Sequence, residues 1–132
     1  IFDEKSGSLL YKKNFISSVK PILNNSHLFL ITKNNFLICL NLENKKIVYS
    51  YDINQKVAEF LNLKRNKVEA QSIFLVNNKI FIFLKNNYLI IFNINGELEE
   101  VRKLPSKIHS TPIFINNLIF YLDQKNRLLV LN

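Results

Sequence analysis

Residues 73–93 read IFLVNNKIFIFLKNNYLIIFN. Two apolar runs, 80–84 and 89–92, are joined by Lys85-Asn86-Asn87, and a shorter run, 73–76, precedes them and turns at Asn77-Asn78. Short runs of aromatic and β-branched residues punctuated by Asn pairs predict strand, turn, strand, turn, strand. The runs are continuous rather than alternating, which is the pattern of strands covered on both faces.

The same passage recurs on either side. Asn34-Asn35-Phe36-Leu37-Ile38 lies over Asn86-Asn87-Tyr88-Leu89-Ile90 at an offset of 52, which also puts Asn25 on Asn77 and Asn41 on Asn93. Asn77-Asn78 lies over Asn116-Asn117 at an offset of 39, with Phe81 on Phe120 and Leu89 on Leu128. Residues 2–11 lie over 40–49 at an offset of 38. The basic period is therefore about 39 residues, and one unit carries an insertion. A period in this range marks a repeat architecture.

Each unit has one grammar. A short strand (21–23, 73–76, 112–115) is followed by an Asn turn, a strongly apolar strand (28–32, 80–84, 118–122), a polar turn and a third strand (36–40, 88–92, 127–131). A more polar fourth strand (47–51, 98–102) opens after Glu43-Asn44-Lys45 or Asn95-Gly96, and 9–13 reads as the fourth strand of an earlier unit. Apolar strands inside and a charged strand outside describe a propeller blade, whose outer edge carries charge against unwanted pairing. Lys12, Lys13, Glu99, Glu100 and Lys103 fit that duty.

The predicted fold is thus all-β: a β-propeller fragment of four-stranded antiparallel blades, two full and two partial. Its expected divisions are 1–13 (end of a preceding blade), 19–53 (blade), 54–68 (inserted connector), 69–104 (blade) and 108–132 (incomplete blade). Val57, Phe60 and Leu61 in the connector have helical spacing and predict one or two helical turns. The connector reads either as a decorated loop or as a partner-docking elbow.

Composition fits a packed domain. The 132 residues are 48% hydrophobic, with 11 Phe and 5 Tyr, too apolar and too periodic for a disordered chain. The abundance of Asn, Lys, Ile, Leu and Phe reads as the background of an AT-rich coding sequence. The chain has no Met, opens at Ile1 and ends at Asn132 within a predicted strand, so it reads as a fragment of a longer protein. No apolar run approaches the roughly 20 residues of a membrane-spanning helix. The net charge of +8 is spread over turns, with Lys64-Arg65 and Lys67 the one local cluster, and reads as a solvated surface rather than a nucleic-acid footprint. Cys39 is alone in an apolar strand and reads as a buried, inert thiol.

The outer-strand segment carries a family resemblance. Asp3-Glu4-Lys5-Ser6-Gly7-Ser8-Leu9-Leu10-Tyr11 resembles the tail of the repeat in pyrroloquinoline-quinone (PQQ) propellers, roughly Asp-x-x-Thr-Gly-x-x-x-Trp, with Ser6 for Thr and Tyr11 for Trp. Residues 41–49 are a decayed copy, with Lys45 where Gly is expected and Tyr49 at the aromatic position, and Ser110-Thr111-Pro112 resembles the opening of such a repeat. Gly would relieve the tight turn, and the aromatic would pack on the next blade with its polar tip free to reach a partner.

The resemblance implies one of two functions. One is the cofactor-free propeller, best known as the lipoprotein subunit of the bacterial outer-membrane β-barrel assembly machinery: a periplasmic scaffold, associated with the outer membrane through a lipid anchor or a partner, that binds proteins and not nucleic acid. The other is the quinoprotein dehydrogenase, which holds PQQ and calcium on its axis. The enzyme wants a Trp platform and a converging Glu/Asn/Asp set, but the chain has no Trp and its acidic residues sit mostly in turns and outer strands. No cofactor is therefore expected from these blades, the alternative being PQQ and calcium held by others.

No catalytic, cofactor-binding or metal residue is assigned. His27 and His109 lack partners at ligand spacing. Ser17-Ser18, Ser72 and Ser110-Thr111 read as strand-entry hydrogen bonders, with no nucleophile elbow around them.

Overall fold

A computed structural model describes Lys5, Ser6, Leu9 and residues 12–132. The tail resembling the PQQ repeat at 3–11 and the strand expected over 9–13 lie largely outside the described residues. Strands β1 (Ile22–Asn24), β2 (His27–Ile31), β3 (Phe36–Asn41) and β4 (Lys46–Asp52) form the first sheet. A helix, α1 (Ile53–Leu61), leads to the second sheet, β5 (Ala70–Val76), β6 (Lys79–Leu84), β7 (Tyr88–Asn93) and β8 (Leu98–Lys103). The third contains β9 (Ile113–Ile115), β10 (Leu118–Leu122) and β11 (Leu128–Leu131). Each sheet is an antiparallel meander in chain order.

The sheets stack face to face, as a blade architecture requires. Side chains alternate across a strand, so the second sheet has two faces. Ile73, Ile80, Ile82, Ile90 and Phe92 join one core with Phe29, Ile31, Leu37 and Cys39 of the first sheet. Phe83, Leu89 and Ile91 join another with Ile119 and Tyr121 of the third. Burial on both sides accounts for the continuous apolar runs. Phe114 sits against Phe74 at 5.5 Å and Phe81 at 5.0 Å between ring centroids, contacts worth about 0.5–1.5 kcal/mol each.

The asparagines have a structural role rather than a compositional one. Asn25, Asn77 and Asn116, equivalent in the repeat, have φ of 52, 50 and 48°; Asn35, Asn87 and Asn126, a second equivalent set, have 60, 67 and 57°. Asn tolerates this left-handed region better than other residues with a side chain. Asn77-Asn78 and Asn116-Asn117 are two-residue hairpin loops with positive φ at both positions, the requirement of the tight turn whose twist matches paired strands. Lys45, where the repeat expects Gly, also has a positive φ of 60°.

Three details differ from the sequence reading. The helix is longer than the one or two turns expected around Val57, Phe60 and Leu61: it runs from Ile53, because Asp52 caps it by accepting from the Gln55 amide at 3.1 Å, and Asn62 ends it in the left-handed conformation. Strand β5 begins at Ala70 rather than Ile73, carried past a register shift to pair with Leu84. In the first two sheets burial peaks in the second and third strands and not in the first, and in the third sheet it peaks in the middle strand β10, since β1, β9 and β11 are half-exposed.

Candidate functional site

The histidines are apart from any chemistry. His27 opens β2 and pairs across the strands with Asn24 and Asn41; His109 is exposed and its amide donates to Leu122 O at 2.9 Å. Among the described residues no three His, Cys, Asp or Glu side chains group closely enough to hold a metal. The serines act as strand-entry hydrogen bonders. Ser17 Oγ donates to Val19 O at 2.5 Å, Ser18 Oγ to Ile31 O at 3.2 Å, and Ser110 Oγ accepts from the Leu122 amide at 2.8 Å.

Cys39 is buried beside Tyr49, and desolvation raises its thiol pKa above the ordinary value, with the Tyr49 contact opposing. The thiolate, the reactive form, is thereby suppressed. Tyr49 itself stands at the aromatic position of the repeat tail. Its ring stacks on Tyr51 at 5.2 Å, and its hydroxyl donates to Ile94 O of the next sheet at 3.2 Å. Both rings press on Gly96, where a Cβ would lie 2.6 Å from Tyr51 Cε2. The aromatic thus bolts one blade to the next, and its polar tip is used there instead of reaching a partner.

Asp123 is the one buried carboxylate among the described residues, 1% exposed. Its oxygens accept from the Arg127 amide at 3.0 Å, the Arg127 side chain at 2.8 Å and the Lys125 amide at 2.8 Å. The Arg127 amide and then its guanidinium lower the carboxyl to about 2, against the opposing effect of burial. Asp123 closes a turn, as Thr32 does at the equivalent position by accepting from the Phe36 amide at 3.1 Å. A low pKa with structural partners does not make a general acid.

Two clefts open between the sheets. A cleft of about 650 Å³ lies along the innermost strands, lined by Lys20, Pro21, Ile22, residues 71–76 and Thr111. A second, about 780 Å³, lies between the second and third sheets near Lys79, Phe81, Arg102 and Phe114. Neither lining contains a carboxylate, so neither offers a calcium ion the charged oxygen ligands that it commonly takes.

The connector builds a third site. Asn54, 3% exposed on α1, accepts from the Val68 amide through Oδ1 at 3.2 Å, while its Nδ2 has no partner. It faces a pocket of about 180 Å³ with Val57, Ala58, Leu63, Lys64 and Tyr88. Arg65 pairs with Asp52 at 3.1 Å, fastening the segment after the helix back to the first sheet. Asn54 carried no signal in the sequence, since its burial depends on residue 68 returning across the helix.

No family model matches the chain. No curated protein matches it. Solved structures do. The chain superposes on the crystal structure of BamB from Moraxella catarrhalis with a TM-score of 0.71 at 11% identity, covering 98% of this chain and 35% of that one. It superposes on the quinohemoprotein alcohol dehydrogenase of Comamonas testosteroni with a TM-score of 0.54 at 9% identity, covering 81% of this chain and 19% of that one. For the WD40 domain of SCAP from fission yeast the TM-score is 0.53 at 15% identity, with 84% and 28% covered. The chain thus spans about a third or less of each of these proteins. The fold is a partial β-propeller of PQQ-like blades, close to that of BamB.

Proposed function

We propose that the chain belongs to a non-enzymatic propeller scaffold that binds protein partners through its rim loops and serves outer-membrane protein assembly in the periplasm. The observation that carries this reading is the superposition on BamB over 98% of the chain. Two features of the molecule support it. The polar groups with perturbed pKa, Cys39, Tyr49, Glu69, Tyr121 and Asp123, are each explained by burial or by a local partner. The clefts, lined without carboxylates, offer no acid–base pair. No helix among the described residues is long and apolar enough to cross a membrane; in this reading membrane association comes through a partner or an anchor. Fold likeness alone does not fix function, and the test is direct. Cross-linking of the intact protein in cells is expected to trap components of the outer-membrane barrel assembly machinery. Quinone-dependent dye reduction by the intact protein would overturn the scaffold reading in favour of a PQQ-dependent dehydrogenase.

A further inference from the structure

We propose that the elbow between α1, residues 62–68 and the second sheet is a docking pocket for an acidic segment of a partner protein. The segment inserts one large apolar side chain and sets a backbone carbonyl on Nδ2 of Asn54. This deepens the scaffold reading and rests on it.

Three observations converge. The first is the orphan donor. Asn54 is nearly sealed from solvent and lines the pocket, yet Nδ2 has no acceptor, and a buried unpaired amide is costly. An incoming carbonyl would remove that cost. The second is size and lining. About 180 Å³ bordered by Val57, Ala58, Leu61 and Leu63 is smaller than the roughly 300–1,000 Å³ of ordinary small-molecule sites and suits a single anchoring side chain of a protein interface. Leu63 is 65% exposed and Phe60 50% exposed on the same elbow, an apolar margin around the opening. The third is charge. With Arg65 already paired to Asp52, the elbow carries Lys56, Lys64 and Lys67 against Glu59, and Lys64 lines the pocket, so acidic flanks are favoured and basic ones repelled.

The probe is a capped pentapeptide of glutamates around a central leucine, titrated against the isotope-labelled intact protein. Saturable shifts of the Asn54 side-chain amide and the Leu63 methyls are expected, weakening as salt is raised. A peptide with central alanine should bind roughly tenfold more weakly. Leu63→Ser, at an exposed position, should weaken binding at least about tenfold with little change in the unfolding midpoint, and Ala58→Leu, which fills the pocket, should weaken it by as much. Equal binding of the leucine and alanine peptides, or full binding by both variants, would overturn the proposal. So would unchanged partner cross-linking in the Leu63→Ser variant, which would leave the scaffold reading standing. Absence of any cross-linked partner with the unaltered protein would sink the scaffold reading itself.

Discussion

Asn35 and Asn54 grip the two ends of one residue. Asn54 Oδ1 accepts from the Val68 amide at 3.2 Å, while Asn35 Nδ2 donates to the Val68 carbonyl and Asn35 Oδ1 accepts from the Ala70 amide at 3.2 Å. Asn35 belongs to the first sheet's turn, Asn54 to the helix, and Ala70 opens the second sheet. Two side-chain amides thus replace the ladder hydrogen bonds that irregular backbone between blades lacks. Asn35 also accepts the Ile53 amide through its own carbonyl at 3.0 Å, fixing where the helix begins.

Removing the clamp should cost stability unequally. Asn35→Gly keeps the left-handed backbone and deletes both side-chain bonds, so a loss of about 1–3 kcal/mol is expected. Asn54→Ala deletes one bond but also an unpaired donor, so it should cost less. Urea unfolding midpoints of the two variants give the comparison, and equal losses would mean that Nδ2 of Asn54 is satisfied.

Gly96 sits under Tyr49 and Tyr51 with φ of 88°. Gly96→Ala must strain the backbone and displace a ring, and should destabilise by about 1–3 kcal/mol. Tyr49→Phe, which loses the bond to Ile94 O and the hydroxyl's contact with Cys39, should cost about 0.5–1.5 kcal/mol. A neutral Gly96→Ala variant would show that the rings do not pack on this turn.

Much of this was legible because the repeat is written in turn residues. The offsets of 52 and 39 aligned Asn35, Asn87 and Asn126, which share a left-handed backbone, and the continuous runs marked strands buried on both sides. The connector was legible only in outline. Its helical spacing was visible, whereas its limits are set by the Asp52 and Asn62 caps. The Asn54 pocket was invisible, because a polar residue in a polar connector shows nothing of the contact it makes with a residue 14 positions on. Reading Asn as compositional background also hid the one chemical property, tolerance of positive φ, that the turns require.

Acid should weaken the third sheet. The Asp123 carboxyl is lowered from 3.8 to about 2 in the folded protein. A depressed carboxylate contributes its full stabilisation above the ordinary value and loses it as pH falls towards the folded one. The stability gap between the unaltered protein and Asp123→Asn should therefore be constant above about pH 5 and shrink between about pH 4 and 2. Thermal melts across that range measure it; a gap that persists to pH 2 would contradict the assignment.

The third sheet leaves one face open. Leu128 is 64% exposed, Ile113 59% and Val130 50%, and Phe120 pairs with both Ile113 and Val130. These are the repeat equivalents of Leu89, Phe74 and Ile91, which face the third sheet from the second. An apolar face of this kind favours association. The isolated 132-residue chain is expected to self-associate with rising concentration, and Leu128→Lys with Val130→Lys to suppress it. Light scattering that shows a concentration-independent monomer would count against this.

The stacking of separate sheets carries every functional statement made above, and proton–proton Overhauser contacts in the intact protein test it most directly. The Phe114 ring should show contacts to both Phe74 and Phe81, and the Tyr49 ring to the Gly96 α-protons. If those are missing, and backbone contacts instead join β4 to β5 as neighbouring strands of one continuous sheet, the propeller account is wrong.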